Sequence, residues 1–418
     1  MSKVIFLSYP FFSHVIPSLA LVRELLDRGE EVIYYSVEAY KDAVEESGAV
    51  FRDYGDIIRL LEAATDQINY AGYPTPVDIL YSLVPSKILK SKKVVQRIVN
   101  RVLADNPDYI VRDCEAYWGR LLGNILDVPV VCYITTIALN NRMMDINKEG
   151  FMESVFSMSA DSLPVAEKES VSQVLDHITA GIAKEQGVEG YTVLDALAGG
   201  DEFNIVYTSR EFQPYAETFG DNYVFIGPSV RASKEKTDFP FQKEADRPVL
   251  LIAFGNIFNN TLELYKRCME AFRDTGFSVI MSVGKKVDIS LLGDVPANFV
   301  VVNQVPQVEL MPQVDVFLSH GGYNSLSEAI DNHVPLVLFP QGADQVATSS
   351  RIEETGAGVY VRNREISPVE LLEIVEGVYQ NSEYRHNCRQ LADSFRLSGG
   401  AKLGADAILA FISEAIVV

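Results

Sequence analysis

One pattern occurs twice in this sequence and constrains its fold more than any other feature. Near the N-terminus an apolar run is followed by a loop, a helical spacing of apolar residues, Gly29 and a second apolar run. From Pro248 onward the same order of strand, polar loop, helix, Gly276 and strand recurs. Each copy is typical of a βαβ unit, in which a helix connects two parallel strands. The sequence therefore predicts two comparable α/β halves.

Other apolar runs extend this pattern in both halves. Residues 129–135, 314–319 and 334–339 are nearly continuous apolar segments, which suit strands buried on both faces of a parallel sheet. A chain of 418 residues with 48% apolar content has enough material for two cores. We expect two doubly wound domains that face a cleft at the carboxyl ends of their strands, where open α/β sheets bind ligands.

A polar segment separates the two halves. Residues 227–247 are charged, contain two prolines and lack apolar periodicity, which is typical of a linker. This predicts an N-terminal domain at 1–226 and a C-terminal domain at 248–397. The remaining residues, 398–418, are amphipathic and are expected to form a helix on either half, with packing back on the N-terminal domain as one arrangement.

Local signals bound the first helix and mark two irregular regions. Pro17 suits a first helical turn and Gly29 suits a left-handed residue after a helix, so the helix is expected at 17–28. Residues 54–89 and 140–200 are less regular and rich in Tyr, Met and Phe. They are consistent equally with the lining of a pocket for a large apolar ligand and with ordinary helical packing.

Composition excludes several kinds of partner. A formal net charge of -21 opposes binding to nucleic acid and to anionic membrane surfaces. No run of eighteen apolar residues occurs, and stable membrane insertion is not expected. Four scattered cysteines form no C-x-x-C pair and show no ligand spacing with the five histidines, which favours a reducing, cytoplasmic setting.

The segment 314–345 contains the strongest functional signal. An apolar strand ends near Ser319, and Gly321 and Gly322 permit a tight turn and a close approach of the backbone to a ligand. A helix is expected to begin at Asn324 or Ser325, and its N-terminus can bind phosphate without any net positive charge on the protein. Ser325 and Glu328 also have the spacing of a capping box, which needs no ligand.

The segment from Asn303 to Gln345, "NQVPQVELMPQVDVFLSHGGYNSLSEAIDNHVPLVLFPQGADQ", carries a resemblance over essentially the whole chain. It resembles the donor-binding signature of the UDP-glycosyltransferases of the GT-B fold, especially the bacterial macrolide and flavonoid type. That resemblance implies two Rossmann-like domains, with acceptor binding in the N-terminal domain and nucleotide-sugar binding in the C-terminal domain.

The resemblance also assigns roles to individual residues. The Val305 backbone and Gln307 would contact the uracil, and Glu328 would accept from the ribose hydroxyls. Asp344 and Gln345 would recognise the hexose, because a carboxylate and an amide together accept from and donate to vicinal hydroxyls. The pyrophosphate would be bound by residues of the turn and helix start, namely His320, Gly322, Asn324 and Ser325.

The loop after the first strand of the second half is also expected to contact phosphate. It reads Phe254-Gly255-Asn256, and Asn256 stands where the family usually has Ser or Thr. An amide can still donate a hydrogen bond to a phosphate oxygen, so Gly255 and Asn256 are included in the predicted donor site.

The first half contains the candidate catalytic pair. His14 and Pro17 follow the first strand in a setting similar to the family's Gly-His-x-x-Pro, although Ser13 replaces the glycine. The resemblance makes His14 the base that deprotonates the acceptor hydroxyl. Asp113, at the end of another predicted strand, matches the carboxylate that orients the histidine; its alternative role is to cap a helix.

These assignments predict an inverting transferase that moves a hexose, glucose by preference, from a UDP-sugar to a hydroxyl of a hydrophobic natural product. The UDP-sugar is a co-substrate, and no other cofactor is expected. No D-x-D motif occurs in the sequence, so we expect no metal site and a leaving diphosphate stabilised by a helix N-terminus, backbone N–H groups and His320.

Two alternatives remain at this point. One is a UDP-sugar epimerase of the same fold, for which the sequence offers no evident acid/base set. The other is a non-catalytic homologue that has kept the fold, against which the joint presence of the catalytic and donor-binding residues argues. A dehydrogenase is excluded because the first strand is followed by "SYPFFSH" and not by a G-x-G-x-x-G turn.

Overall fold

The computed structural model describes residues 2–57, 74–163, 169–230, 239, 241–255, 262–285, 287–342 and 344–416. The chain divides into two compact units. The first comprises Met1–Ser229 together with Phe395–Val418, and the second comprises Val230–Ser394. Each unit is built around one parallel sheet, as the two βαβ patterns predict.

The first unit contains a sheet of seven strands in the order β3-β2-β1-β4-β5-β6-β7. All of its strand pairs are parallel. Because β1 lies between β2 and β4, and β4 pairs with β5, the carboxyl ends of β1, β4 and β5 are neighbours. The strands are β1 (Lys3–Leu7), β2 (Glu31–Ser36), β3 (Val50–Asp53), β4 (Tyr109–Asp113), β5 (Val130–Ile134), β6 (Phe203–Val206) and β7 (Tyr223–Phe225).

Helices cover both faces of this sheet. Alternate residues of β1 enter two different cores, Val4 and Phe6 on one face and Ile5 and Leu7 on the other. This explains why the strand sequence is almost continuously apolar. The helices of the unit are α1 (Phe12–Asp27), α2 (Lys41–Glu46), α3 (Pro76–Asp105), α4 (Trp118–Leu126), α5 (Asn141–Ile146), α6 (Lys148–Phe156), α7 (Val171–Glu185), α8 (Val193–Ala196) and α15 (Gly400–Ile416).

Helix α1 begins five residues earlier than the sequence predicts. It starts at Phe12, so Pro17 lies inside the helix and not in its first turn. A proline in a helix interior costs a backbone hydrogen bond, and the prediction placed it where that cost vanishes. As a consequence, His14 lies in the first turn of α1 and not in a loop.

The irregular regions of the first half form a separate helical core. The N-terminal half of α3 packs there with α6, α7 and α8, through residues such as Leu80, Phe151 and Leu175. In the described residues these regions therefore show helical packing. Residues 58–73 of the first region and 164–168 of the second lie outside the described part of the chain.

The C-terminal helix α15 packs within the first unit. Its Asp406 accepts a hydrogen bond from Arg28 Nε at 2.7 Å, and Phe411 stacks on Phe203 with ring centroids 4.7 Å apart. Apolar residues of α15, including Ile408, join the core that α1 forms on the sheet.

The second unit contains a six-stranded sheet in the order β10-β9-β8-β11-β12-β13, again with parallel pairs throughout. Its strands are β8 (Val249–Ala253), β9 (Ser278–Ser282), β10 (Phe299–Val302), β11 (Val316–Ser319), β12 (Leu336–Leu338) and β13 (Gly358–Tyr360). Its helices are α9 (Leu262–Phe272), α10 (Gln307–Leu310), α11 (Tyr323–Asp331), α12 (Gln345–Glu354), α13 (Pro368–Gln380) and α14 (Ser382–Leu397), of which α14 ends beyond the unit boundary.

The topology places the sequence motifs at the carboxyl edges of the two sheets. In the second unit the loops after β8, β11 and β12 contain Gly255, His320 and Asp344, and helix α10, which follows β10, begins at Gln307. Open parallel sheets bind their ligands at this edge. Within the described residues, no helix has both the length and the apolar character needed to cross a bilayer.

Candidate functional site

The first unit brings His14 and Asp113 together across 99 residues of sequence. His14 Nδ1 lies 2.9 Å from Asp113 Oδ2. Asp113 is the last residue of β4 and its side chain is fully buried, whereas that of His14 is 20% exposed. A histidine in contact with a buried carboxylate and open to solvent on one side can exchange protons with a bound molecule.

The second oxygen of Asp113 is held by the backbone that follows the strand. Asp113 Oδ1 accepts from the Glu115 N–H at 2.8 Å. The two oxygens therefore have different partners, and the carboxylate plane is fixed. The sequence also allowed Asp113 to cap a helix. Helix α4, however, begins only at Trp118, and no side chain caps it.

A buried arginine, Arg112, forms hydrogen bonds with the backbone at the end of β4. Arg112 Nη1 donates to the carbonyl oxygens of Asp113 and Cys114, each at 3.1 Å. Its Nε donates to Asp201 at 2.5 Å, and both partners are almost completely buried. Burial alone would lower the pKa of the Arg112 guanidinium, but the Asp201 charge raises it above its usual value. A paired charge of this kind is costly to break, so the end of β4 is held firmly.

Two further side chains lie against the His14 ring. The Tyr9 ring centroid is 5.5 Å from that of His14, and Thr135 Oγ1 lies 3.5 Å from His14 Nδ1. Sequence reasoning missed Thr135. The available signal was its position directly after the buried strand β5, which places it at the sheet edge that Asp113 also occupies.

The pairing decides which nitrogen of His14 can act as a base. A carboxylate only accepts hydrogen bonds, so Nδ1 carries the hydrogen that is shared with Asp113. In the neutral ring the lone pair is then on Nε2. A proton taken up there creates a positive charge that the buried carboxylate stabilises.

In the second unit, a tight turn surrounds His320 at the end of β11. Gly255 and Gly321 have positive φ values of 86° and 84°, which side chains rarely adopt. A Cβ atom would lie 2.9 Å from His320 Nε2 at Gly255 and 2.5 Å from it at Gly322. These positions therefore need glycine, and the backbone approaches the imidazole closely on two sides. Asn256, the next residue of the predicted phosphate loop, lies outside the described residues.

The His320 ring is neutral in this environment. Burial lowers the pKa of His320 to about 4, against a smaller opposite effect of the Ala253 carbonyl. Nδ1 is buried without a hydrogen-bond partner in the described part of the protein. Such an orphaned polar atom is rare in proteins and is typical of a position that a ligand or water completes.

Helix α11 begins at Tyr323, one or two residues earlier than predicted. Its N-cap is Gly322, and no side chain caps the helix. The capping-box alternative for Ser325 and Glu328 is therefore wrong, because Glu328 lies a full turn further into the helix. With Gly322 as the N-cap, Asn324 and Ser325 lie in the first turn, whose N–H groups and dipole favour an anion.

Three of the predicted donor residues contact one another. Gln307 Nε2 donates to Glu328 Oε2 at 2.7 Å and to Ser325 Oγ at 3.1 Å. Glu328 is only 6% exposed, and its carboxylate is held at a defined place beside the helix start. Val305 lies two residues before Gln307, in the loop between β10 and α10, and is partly buried.

The predicted sugar-binding pair lies where the loop after β12 meets helix α12. Asp344 is the N-cap residue of α12, and Gln345 is the first residue of that helix. Gln345 Oε1 accepts from the backbone N–H groups of Gln341 at 2.8 Å and Gly342 at 3.3 Å. The amide oxygen is thus used within the loop, and Nε2 is the end of Gln345 that can donate to a ligand.

Helix α12 is also tied to the turn that contains His320. Thr348 Oγ1 donates to the Gly321 carbonyl at 2.7 Å, and a Cβ atom on Gly321 would lie 2.5 Å from Ser349 Oγ. Ser349 Oγ is itself buried without a hydrogen-bond partner among the described residues. Sequence reasoning missed both residues, because nothing in the spacing of α12 marks which of its polar side chains face the turn.

Known proteins are similar to this chain in sequence. Residues 266–398 match the family described as erythromycin biosynthesis protein CIII-like, C-terminal domain. The uncharacterized UDP-glucosyltransferase YojK of Bacillus subtilis (strain 168) is 32% identical over 417 residues, which is 99% of this chain and 98% of that protein. The NDP-glycosyltransferase YjiC of the same strain is 32% identical over 411 residues, with coverage of 98% and 97%.

A solved structure extends the similarity to the fold. The crystal structure of CalG4, the calicheamicin glycosyltransferase, is similar with a TM-score of 0.75 and 27% sequence identity. The match covers 99% of this chain and 98% of that chain.

Proposed function

The chain belongs to the UDP-glycosyltransferase family of the GT-B fold, of the bacterial macrolide type, and on that basis we propose that it is an inverting hexosyltransferase. Its donor is a UDP-sugar, with glucose as the preferred hexose, and its acceptor is a hydroxyl of a hydrophobic small molecule such as a macrolide or flavonoid. The observation that carries this proposal is the contact between His14 and the buried Asp113.

In the proposed reaction, His14 is the catalytic base. Its Nε2 takes the proton of the acceptor hydroxyl as the hydroxyl oxygen attacks the anomeric carbon of the donor. The bond from that carbon to the diphosphate breaks in the same displacement, which inverts the anomeric configuration. Asp113 holds the imidazole in the productive tautomer and offsets the charge that it gains.

The second unit supplies the donor-binding residues. Gln307 with the Val305 backbone binds the uracil, and Glu328 accepts from the ribose hydroxyls. The diphosphate is bound at the start of α11, where His320, Asn324 and Ser325 contribute, with Gly255 and Gly322 allowing the close approach. The proposal also includes Asn256 in this set.

The hexose is recognised by the loop after β12. Asp344 accepts from sugar hydroxyls, and Gln345 donates through Nε2 because its oxygen is bonded to the loop backbone. A donor and an acceptor side by side suit two adjacent hydroxyl groups. This arrangement supports a fully hydroxylated hexose such as glucose over a deoxy sugar.

The names of the similar proteins support the proposed donor and acceptor to different degrees. One is named a UDP-glucosyltransferase and another an NDP-glycosyltransferase, and the solved structure is that of a calicheamicin glycosyltransferase. The first name favours UDP-glucose as the donor, the second leaves the nucleotide open, and the third favours a natural-product acceptor.

We further propose that the leaving diphosphate is stabilised without a metal ion, by the dipole and N–H groups of α11 and by His320. No cofactor is needed, because the UDP-sugar is a co-substrate and the transfer involves no redox step. All four cysteines are buried free thiols, which supports a reducing, cytoplasmic setting.

The test is a panel of nucleotide sugars against phenolic and macrolide acceptors, read by mass spectrometry. The expected product carries one hexosyl group and forms from UDP-glucose in preference to dTDP-glucose, UDP-galactose and UDP-N-acetylglucosamine. A β-linkage from the α-linked donor, measured by the proton coupling of the anomeric position, establishes inversion. Conversion of UDP-N-acetylglucosamine to an epimer, or UDP binding without transfer to any acceptor, would overturn the proposal.

A further inference from the structure

A second carboxylate lies beside the His14–Asp113 pair and takes no part in the reaction proposed above. Glu115 is two residues after Asp113, and its backbone N–H donates to Asp113 Oδ1 at 2.8 Å. Its side chain extends to helix α3, where Oε2 lies 2.7 Å from Lys87 Nζ. The side chains of Glu115 and Lys87 are about a quarter and a fifth exposed, at 26% and 19%.

The Glu115 carboxylate acts on the same aromatic and imidazole rings as Asp113. Burial raises the pKa of Tyr9, and the charges of Glu115 and Asp113 raise it further. The Tyr9 ring is in turn 5.5 Å from the His14 ring. Both carboxylates are therefore near enough to Tyr9 to raise its pKa, and Asp113 is also in contact with His14.

The charge of Glu115 is balanced from helix α3. Burial would raise the pKa of the Glu115 carboxyl, but the charge and hydrogen bond of Lys87, together with the charges of His14 and Lys90, hold it below its usual range. Lys90, one turn after Lys87, has its pKa lowered to about 8 by burial and by the Lys87 charge, against the opposite effect of Glu115. Glu115 thus remains ionised at neutral pH.

We propose that Glu115 and Lys87 are positioning residues for the catalytic pair: the Glu115 backbone orients the Asp113 carboxylate, and the Glu115 side chain, held in place by Lys87, presents a second negative charge to the His14 ring. The inference rests on the proposed role of His14 as the base. It assigns opposite effects to the two charges, since Glu115 favours the imidazolium and Lys87 opposes it.

This balance matches what the proposed reaction requires of the ring. The base must be neutral before it takes the acceptor proton, and an unbalanced second carboxylate would favour the imidazolium, which cannot accept one. Lys87 offsets that charge in the free protein. The titratable and polar groups near His14 include Asp113 at the end of β4, Glu115 after it, Tyr9 before α1, Thr135 after β5 and, through Glu115, the two lysines of α3.

The inference is tested by titrating His14 itself, with no donor or acceptor present. Protein labelled with carbon-13 in its five histidine rings is followed by NMR across pH, and the His14 resonance is the one absent from His14→Ala. Glu115→Gln keeps the backbone bond to Asp113 but removes the charge, and should lower the pKa of His14 by about 0.5. Lys87→Met should raise it by a similar amount, and the double variant should return it close to the wild-type value.

Two controls separate this effect from a general change of charge or fold. Lys93→Met removes a cation from an exposed position on the same helix and should leave the His14 titration unchanged. Lys87→Arg keeps the cation and should do the same. The isosteric Glu115→Gln variant carries the test alone if Lys87→Met does not fold.

A titration that stays the same in Glu115→Gln, or that moves in the same direction in both single variants, would overturn the inference. Failure of the proposed function is a separate result, because absence of transfer by the wild-type protein leaves the titration readable. In an active enzyme, the acid limb of the kcat/KM profile should move in the same direction as the measured pKa.

Discussion

Gln307 Nε2 lies 2.7 Å from Glu328 Oε2, and this contact joins the first residue of helix α10 to the second turn of helix α11. The same nitrogen is 3.1 Å from Ser325 Oγ. The predicted uracil-binding and ribose-binding residues are thus one connected group before any nucleotide is present. The N-cap of α11 is Gly322 and no side chain caps the helix, so helix capping does not explain why Glu328 is at this position.

Glu328→Gln should weaken UDP binding while leaving the fold intact. The amide oxygen can still accept from Gln307, so the melting temperature should stay close to that of the wild type. The ribose hydroxyls lose a charged acceptor, and we expect the loss to be about 1 kcal/mol of binding free energy. Isothermal titration with UDP measures it. Unchanged UDP affinity would show that Glu328 serves only to hold the first residue of helix α10, Gln307, in place.

Gln345→Glu is the sharper test of hexose recognition. The carboxylate keeps an acceptor for the N–H groups of Gln341 and Gly342, so the loop should hold, but the donor Nε2 is lost. The KM for the UDP-sugar should rise several-fold, or the sugar preference change, while the affinity for UDP stays nearly the same. Gln345→Ala, which also removes the loop bonds, is the comparison. Equal losses for UDP and UDP-glucose in Gln345→Glu would contradict the assignment.

Much of this arrangement was predictable because it depends on local order along the chain. The strands β1, β8 and β11 follow from continuous apolar runs, and the close approach at Gly321 follows from the paired glycines after a strand. The start of α1 was not predictable in the same way. Pro17 matches a first-turn signal, and only packing against the sheet decides that the helix extends five residues further toward the N-terminus.

Contacts between distant segments needed the structure. Thr135 and Lys87 reach the His14 region because β1 lies next to β4 and β4 next to β5, and because α3 packs beside that edge. The spacing of residues along the chain does not determine the order of the strands, and so it does not show which side chains meet at the carboxyl edge of the sheet. The hydrogen bonds of Gln345 to its own loop could not be predicted either, because a glutamine suits sugar binding and loop support equally well.

The burial of His320 should make the protein less stable in mild acid. The folded pKa of about 4 lies below the ordinary value of 6.5, so between these pH values the unfolded chain binds a proton that the folded chain does not. The contribution is fully present above pH 6.5 and is lost as the pH falls toward 4. It amounts to roughly 1–3 kcal/mol of unfolding free energy.

The contribution of His320 to the unfolding free energy is measured by urea unfolding of the wild type and of His320→Asn at several pH values. Between pH 6.5 and 4 the unfolding free energy of the variant should fall less than that of the wild type. His177→Gln, at an exposed position, should follow the wild type. Parallel curves for wild type and His320→Asn would mean that His320 is solvated in the folded protein.

Transfer should continue in the presence of EDTA. The expectation follows from the absence of a D-x-D motif in the sequence and from the helix N-terminus beside His320, which can stabilise the leaving diphosphate. Initial rates are compared with EDTA and with added Mg²⁺ at constant ionic strength. A rate that disappears with EDTA and returns only with Mg²⁺ would mean that a metal ion stabilises the leaving group.

Replacing His14 by Ala should separate the chemical step from donor binding. We expect kcat with oxygen acceptors to fall on the order of 10²–10⁴-fold, because no other group is assigned to take the proton, while UDP affinity is retained. Asp113→Asn should lower the same parameter, since an amide presents its N–H to Nδ1 and favours the tautomer in which Nε2 already carries the proton. Acceptors that are already ionised, such as a thiolate or an acidic phenol, need little proton removal and should escape most of the His14→Ala loss. The experiment compares one neutral alcohol with one acidic phenol of similar size as acceptors, and UDP binding is titrated for each variant.

Two results would show that His14 is not the base: loss of UDP binding in His14→Ala, or full activity of that variant toward the neutral alcohol. The contact between His14 and Asp113 would then have a structural explanation only.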